Sequence, residues 1–451
     1  MPHGETENTS TLDADLLVLG AGMAGLSAAA SAVANGLRVV LVEKGDWAGG
    51  SALYAGYVWT APTYEVMRAV NPDGDPGLAH VVVDGLEKGF TWIGSLDVPM
   101  GPLVPVLGYG RGRATDLAAY IRACQAKVRE GGTLIMPAVP QRLLQDAGGV
   151  HGAVVLEKDR EVTIHSTYTL LATGGFGGNP DLRAQRISPA AHSLALRANR
   201  NSVGDGLRLG MAAGAGFAGE GAGFYGHLIP SHIAYEDPND FVNLTFYHSE
   251  HGILANLAGR RFCDETLGDH LNTLAVLDQP DARALLVCDE RVHREWMLKP
   301  YVAGATAPDK FRLAYQRGAR AAAADDLDEL ASLPPEWGFD GAELRETIID
   351  FNKRCLSGEI TPGRAVDNAP LEEPPYYVIE VVPAITNTWG GLRVDDHARV
   401  LRADGSPIDG LLAAGADIGG LYQRAYGGGL AAGLTFGLRA AETALISLRA
   451  N

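Results

Sequence analysis

Residues Asp15–Gly45, DLLVLGAGMAGLSAAASAVANGLRVVLVEKG, constrain this chain more than any other stretch. Leu16–Leu19 is a short apolar run of the kind a parallel strand buried on both faces requires. It leads directly into Gly20-Ala21-Gly22-Met23-Ala24-Gly25, a G-x-G-x-x-G. Small residues fill a helical stretch over 26–35, and Gly36 stands where a helix ends in positive φ. Residues 38–42 read as a second strand, closed by Glu43. In such a unit Gly20 makes the tight turn, Gly22 admits a pyrophosphate to the backbone, and Gly25 lets helix and strand pack closely. Free amides and the positive end of the helix dipole then receive a diphosphate. Glu43 is placed to accept from a ribose hydroxyl. The stretch reads as a dinucleotide site, against the plainer reading of a glycine-rich turn. It does not say which dinucleotide, or what chemistry.

The chain has 451 residues, enough for two or three domains. A formal net charge of −17 argues against nucleic acid or an anionic membrane surface as partner. Cys124, Cys263, Cys288 and Cys355 lie far apart, with no C-x-x-C pair. That excludes a local Fe–S, zinc or haem-attachment framework and fits a reducing cytoplasm. The opening MPHGETENTSTLDAD lacks the apolar core of a signal peptide and reads as a disordered tail. No run reaches the roughly 18 apolar residues of a membrane span. A cytoplasmic protein is expected.

Further fragments of a ligand site follow. Gly49, Gly50, Ser51, Ala55 and Gly56 form a second glycine-bearing loop. Residues 62–112 read as mostly helical and irregular, 113–130 as a helix, and 133–136 as a strand. Alternation over 150–165 has the period of antiparallel strands. The run 168–171 opens into Ala172-Thr173-Gly174-Gly175, and Gly204-Asp205-Gly206 precedes a short helix. From about Ala222 aromatics and histidines crowd in, among them Tyr225, His227, Tyr247, His248 and His251, and residues 222–361 read as a second domain. No histidine pair has H-x-x-x-H spacing on a clear helix, so no metal is expected. Near the other end, Gly427-Gly428-Gly429-Leu430 opens a long helix whose free amides make another anion-stabilising spot.

Taken together, DLLVLGAGMAGLSAA, GGSALYAGYVW, ATGGFGGNP, GDGLRLGMAAGA, GILANLAGRRFCDE, NTWGGLRVD, IDGLLAAGAD and GGGLAAGLTFG resemble the flavoproteins of the fumarate reductase and succinate dehydrogenase family. The 3-ketosteroid Δ1-dehydrogenases and tricarballylate dehydrogenase look most alike. The resemblance implies an α/β chain with a Rossmann-like FAD-binding domain made of both chain ends, 1–221 and 362–451, and an inserted α+β capping domain, 222–361. It implies FAD held by Gly20, Gly22, Ala24, Gly25, Glu43, Lys44, Gly50, Ser51, Ala55, Gly56, Val139, Thr173, Gly174, Asp205, Asp417, Gly429 and Leu430. Glu43 would hold the adenosine ribose and Val139 the adenine end. Asp205 and Asp417 would take ribityl hydroxyls, and Gly429 and Leu430 would face flavin N1–C2=O. No histidine stands in 49–59, so the flavin is expected to be non-covalent.

The resemblance also implies catalytic positions. Arg424 falls where fumarate reductases keep a carboxylate-clamping arginine, which suits a guanidinium fork. Asn387 replaces their histidine. Asp269 takes the place of their proton-donating arginine, which disfavours fumarate reduction. The dehydrogenases use tyrosine as base, and Tyr57, Tyr225, Tyr247 and Tyr426 are the candidates. The expected activity is an FAD-dependent desaturase acting α,β to a carbonyl or carboxylate of a small keto or carboxylic acid. An ene-reductase of an unsaturated acid is the alternative, and a flavin-holding protein without turnover a third reading. The expected partners are a small-molecule substrate and an unidentified electron acceptor, with no nucleic acid.

Overall fold

In the computed structural model, which describes residues 10–235, 238–300, 307–423 and 425–450, the strand Ser10–Leu19 runs through the middle of an eight-stranded sheet. It pairs in parallel with Val39–Val42 on one side and Arg160–Leu171 on the other. Thr133–Ile135 and Pro407–Ala413 extend the parallel run. Leu16, Leu17, Val18 and Leu19 all have zero exposure. Successive strand residues face opposite ways, so both faces of the sheet are covered, as the unbroken apolar run requires. Val139–Asp146 and Gly149–Glu157 add an antiparallel flap to Arg160–Leu171.

Three readings of the sequence change. Ser10–Asp15, read as tail, is strand, because it pairs register by register with Val162–Ser166; residues 1–9 lie outside the described residues. Met100–Val106 and Gly110–Thr115, read as irregular or helical, are strands in a three-stranded sheet with Tyr57–Thr60. The bare glycines let the second strand lie against Trp59: a Cβ at Gly112 would stand 2.2 Å from the Trp59 Cβ. The following helix therefore starts only at Leu117, behind an Asp116 cap that accepts from the Ala119 N–H.

The chain divides into two compact units, 1–188 with 198–224 and 387–451, and 189–197 with 225–386. The first joins both chain ends through the helices Met23–Ala34 and Gly429–Ala450. They approach so closely that a Cβ at Gly437 would lie 2.3 Å from the Ala24 carbonyl oxygen. The second unit takes in 189–197 and keeps 362–386, unlike the sequence expectation. The reason is sheet pairing: the long strand Tyr376–Thr388 pairs with Ala284–Cys288, Ala321–Ala324 and Ala195–Leu196. Its core gathers Leu228, Phe246, Val287, Val378 and Ile379, with the helix Gly341–Ser357 contributing Leu344, Ile348 and Phe351. Among the described residues no helix is long and apolar enough to cross a membrane.

Candidate active site

In the first unit, four loops leave the carboxyl ends of neighbouring parallel strands, the edge where open α/β sheets bind ligands. They follow Leu19, Val42, Leu171 and Ala413. Gly20 has φ +107°, and a Cβ there would meet the Ala172 carbonyl oxygen at 2.2 Å. A Cβ at Gly25 would stand 1.8 Å from the Gly20 oxygen, so this turn closes only with glycine at both places. Gly22 differs: nothing lies within 4 Å of its added Cβ. It caps the helix Met23–Ala34, which has no side-chain cap and no acidic residue in its first turn. An open cradle of uncapped amides with no competing carboxylate fits the diphosphate of FAD.

Some of the other expected cofactor residues are tied to this turn by hydrogen bonds. Glu43 receives the Ala21 N–H at 2.8 Å and the Gly45 N–H at 2.6 Å, which fixes its carboxylate at the end of its strand. Val139 follows Ala138, whose N–H donates to the Glu43 carbonyl at 2.7 Å. The Gly49 N–H donates to the Ala21 carbonyl at 2.7 Å, docking the second glycine loop on the first. The short turn Gly50–Tyr54 follows, with the Ser51 hydroxyl accepting from the Asn199 N–H and Gly56 accepting from the Thr115 N–H. Lys44 and Asp205 form an ion pair of 2.6 Å with each other.

Asp417 holds the neighbouring loop. It is 1% exposed, and its oxygens accept from the Thr173 N–H, the Thr173 hydroxyl and the Gly175 N–H. Its part in the site is therefore to shape the Thr173–Gly175 loop. Burial pushes its carboxyl pKa up, against the pull of those donors.

At the start of the C-terminal helix, the Gly429 N–H donates to the Tyr426 hydroxyl at 2.6 Å. A Cβ at Gly429 would stand 2.7 Å from that oxygen and 3.5 Å from Asn387 Nδ2, so these three residues converge. Tyr109, which the sequence did not single out, donates its hydroxyl to the Tyr426 carbonyl at 2.6 Å. Trp59 packs edge-on against both tyrosines. Tyr57, half-buried, begins the strand Tyr57–Thr60. Arg424 lies outside the described residues.

The second unit holds a buried polar cluster of its own. Arg197, 7% exposed, donates to Thr245 Oγ1 at 3.2 Å, Thr386 Oγ1 at 3.2 Å and the Tyr247 hydroxyl at 2.7 Å. The Lys310 ammonium stands 5.6 Å from the Tyr247 ring centre. Beside them His227 Nδ1 lies 2.5 Å from Asp269 Oδ2, and the Leu228 N–H donates to the other Asp269 oxygen at 3.2 Å. Burial dominates every shift here. It pushes Asp269 up to about 8, His227 well below its ordinary value and Lys310 down to about 8. Burial thus favours the uncharged forms of both His227 and Asp269, which share a short hydrogen bond. Arg197 and Lys310 had no signal in the sequence, since each is isolated from the residues it meets.

Arg261-Phe-Cys-Asp-Glu265 plays a structural part. Glu265 has zero exposure and is held by Arg261 at 2.6 Å and Arg364 at 3.2 Å, while accepting from the Leu254 N–H at 3.0 Å.

The FAD binding domain family matches residues 106–442, and the FAD dependent oxidoreductase family matches residues 15–175. Among curated proteins, the fumarate reductase (cytochrome) of Shewanella frigidimarina is 28% identical, over 95% of this chain and 76% of that protein. The 4-oxocyclohexanecarboxylate 2-dehydrogenase of Sinomonas cyclohexanicum is 26% identical, over 94% of this chain and 90% of that protein. Among solved structures, the 3-ketosteroid Δ1-dehydrogenase of Sterolibacterium denitrificans superposes with a TM-score of 0.78 at 19% identity, covering 96% of this chain and 100% of that one. With this fold and this cradle, the chain belongs to the FAD binding domain family and is an FAD-dependent oxidoreductase.

Proposed function

We propose that this chain is a dehydrogenase that introduces a C=C bond α,β to a carbonyl or carboxylate of a small keto or carboxylic acid, cyclic ones included, using non-covalent FAD. The observation that carries this reading is the Tyr247 hydroxyl held at 2.7 Å by buried Arg197, with Lys310 against the same ring. FAD, when bound, supplies the hydride acceptor. The chain's own task is then the α-proton, which Tyr247 takes up. Arg197 donates to the tyrosine oxygen and so stabilises the negative charge it carries when it acts as base. Tyr426 is less suited, because its oxygen accepts from the uncharged backbone N–H of Gly429, which stabilises a phenolate less than a guanidinium does. Asn387 is suited to donate to the substrate carbonyl oxygen as the α-proton leaves. Arg424 is assigned a substrate carboxylate.

The test is anaerobic mixing of the flavin-loaded protein with saturated cyclic ketones, keto acids and di- or tricarboxylates. Flavin bleaching is expected with at least one, and Tyr247→Phe should slow it by roughly 10²- to 10⁴-fold, the usual worth of a general base. No bleaching by any saturated carbonyl compound would sink the proposal. The likeness to a fumarate reductase at 28% identity supports a second reading, reduction of an unsaturated acid. Reoxidation of the pre-reduced protein by unsaturated acids, with no bleaching by saturated ones, would favour it. Release of all flavin on acid precipitation checks the non-covalent attachment. The four free cysteines support a reducing, cytoplasmic setting.

A further inference from the structure

A second cluster of ligating side chains lies on one short turn of the insert unit, Ser249–His251, and the residue before it. One ring nitrogen each from His248 and His251 and a Glu250 carboxylate oxygen lie within 4.8 Å of one another. His251 Nε2 is 3.8 Å and His248 Nδ1 4.0 Å from the same oxygen, Glu250 Oε1. Both separations are too long for hydrogen bonds. Ligands at about 2.1 Å from a tetrahedral zinc ion stand about 3.4 Å apart, so side-chain rotations that bring these atoms closer by roughly 0.5 to 1.5 Å would close the set. Glu250 Oε2 is buried with no hydrogen-bond partner among the described residues.

The surroundings hold the three groups as outer-shell partners hold metal ligands. Asp367 Oδ2 lies 2.6 Å from His251 Nδ1, which fixes the proton there and turns the Nε2 lone pair toward Glu250. Arg291 steadies the other Asp367 oxygen at 3.3 Å. Trp296 stacks on the His251 ring with centres 3.6 Å apart and planes 6° from parallel. Arg364 donates to the carbonyls of Glu250 at 2.7 Å and Gly252 at 2.9 Å, pinning the backbone of the turn.

We propose that His248, Glu250 and His251 bind one divalent transition-metal ion, with water completing its coordination. Two imidazoles and one carboxylate suit zinc, cobalt or nickel rather than calcium or magnesium, which prefer all-oxygen sets. The ion braces the turn that Tyr247 immediately precedes. Sequence spacing alone hid the site, because the ligands follow H-x-E-H on a tight turn and not two helical steps.

The test uses the flavin-loaded full chain, stripped with chelator and titrated with Co²⁺ and separately with Zn²⁺. Visible cobalt bands saturating at one equivalent per chain, displaced by Zn²⁺, are expected. Glu250→Gln and His251→Ala should each weaken Zn²⁺ binding by 10-fold or more in calorimetry. Asp367→Asn should weaken it by roughly 10- to 100-fold, the usual worth of an outer-shell carboxylate. Circular dichroism and flavin content identify any variant that fails to fold, and Glu250→Gln, nearly isosteric, then carries the test. Absence of saturable binding, or equal affinity in Glu250→Gln and the parent, would overturn the proposal. Because the readout is metal binding and not turnover, failure here leaves the dehydrogenase reading standing, and the reverse also holds.

Discussion

The backbone N–H of Gly429 donates to the hydroxyl oxygen of Tyr426, three residues earlier, at 2.6 Å. A side chain thus occupies an amide that the glycine-rich sequence leaves open at the start of the C-terminal helix. Tyr426 is itself fixed by Tyr109 on its carbonyl and Trp59 on its ring. Removing the hydroxyl leaves the amide without its partner at a helix end, a loss of about 1 kcal/mol. Tyr426→Phe should therefore lower the melting temperature of the flavin-free protein while leaving its far-UV circular dichroism intact. An unchanged melting temperature would show that another acceptor serves Gly429.

Arg197 should not tolerate lysine. Its guanidinium reaches Thr245, Thr386 and Tyr247 at once, a fork that a single ammonium cannot reproduce. Arg197→Lys should cut the anaerobic flavin-reduction rate by roughly 10- to 100-fold, the worth of one hydrogen bond to a charged group. Flavin content should stay at the parent level. A loss of flavin in place of rate would move Arg197 from proton chemistry to folding.

The His227–Asp269 pair gives stability a definite pH dependence. The Asp269 carboxyl is raised from an ordinary 3.8 to about 8 by burial, so between those values the folded chain keeps a proton that the unfolded chain has released. Its stabilising contribution is complete below 3.8 and drains away as pH rises through about 8. His227, depressed by burial from an ordinary 6.5, acts in the opposite sense, but only below 6.5. Lys310, lowered to about 8, adds stability only above that value. Glu250, raised by burial to about 7, drains in the same sense as Asp269 but below that value, so melts between pH 7 and 8 report chiefly on Asp269. Stability of the parent should fall across that window, and Asp269→Asn should flatten the slope. A parallel decline in both would exclude Asp269 as its source.

Glu43 should be intolerant even of its amide. Its two oxygens each accept one backbone N–H, at 2.8 and 2.6 Å. Glutamine would turn an NH₂ toward one of these donors and weaken the hold on the glycine turn. FAD affinity of Glu43→Gln, titrated into the flavin-free protein by fluorescence quenching, should fall by roughly 10- to 100-fold, equivalent to 1.4–2.8 kcal/mol. Parent-like affinity would mean that Glu43 is dispensable for the cradle.

What the sequence made legible was local. The parallel strand at Leu16–Leu19 and the demand for glycine at Gly20 and Gly25 are properties of a few consecutive residues. The strand beginning at Ser10 was hidden, because its polar residues are ordered by a partner strand about 150 positions away. Arg197 and Tyr247 meet across 50 positions, and Tyr109 reaches Tyr426 across 317. No window of the sequence contains either pair. The hold of Asp417 on the Thr173 and Gly175 amides was not legible, since those residues lie more than 240 positions away. His248, Glu250 and His251 were passed over because helical spacing was sought where the chain makes a tighter turn.

The close fit of Gly437 against Ala24 has a consequence for how the chain is made. The first strand and its helix are synthesised early, yet the helix that packs on them and the strand Pro407–Ala413 come several hundred residues later. Meanwhile residues 225–386, most of the insert unit, have already emerged from the ribosome, with the strands of their own sheet complete. The inserted unit is thus ready to fold before the unit that surrounds it in sequence. Until synthesis passes residue 437, the apolar face of the opening helix lacks its native cover and is the segment that chaperones have most reason to hold.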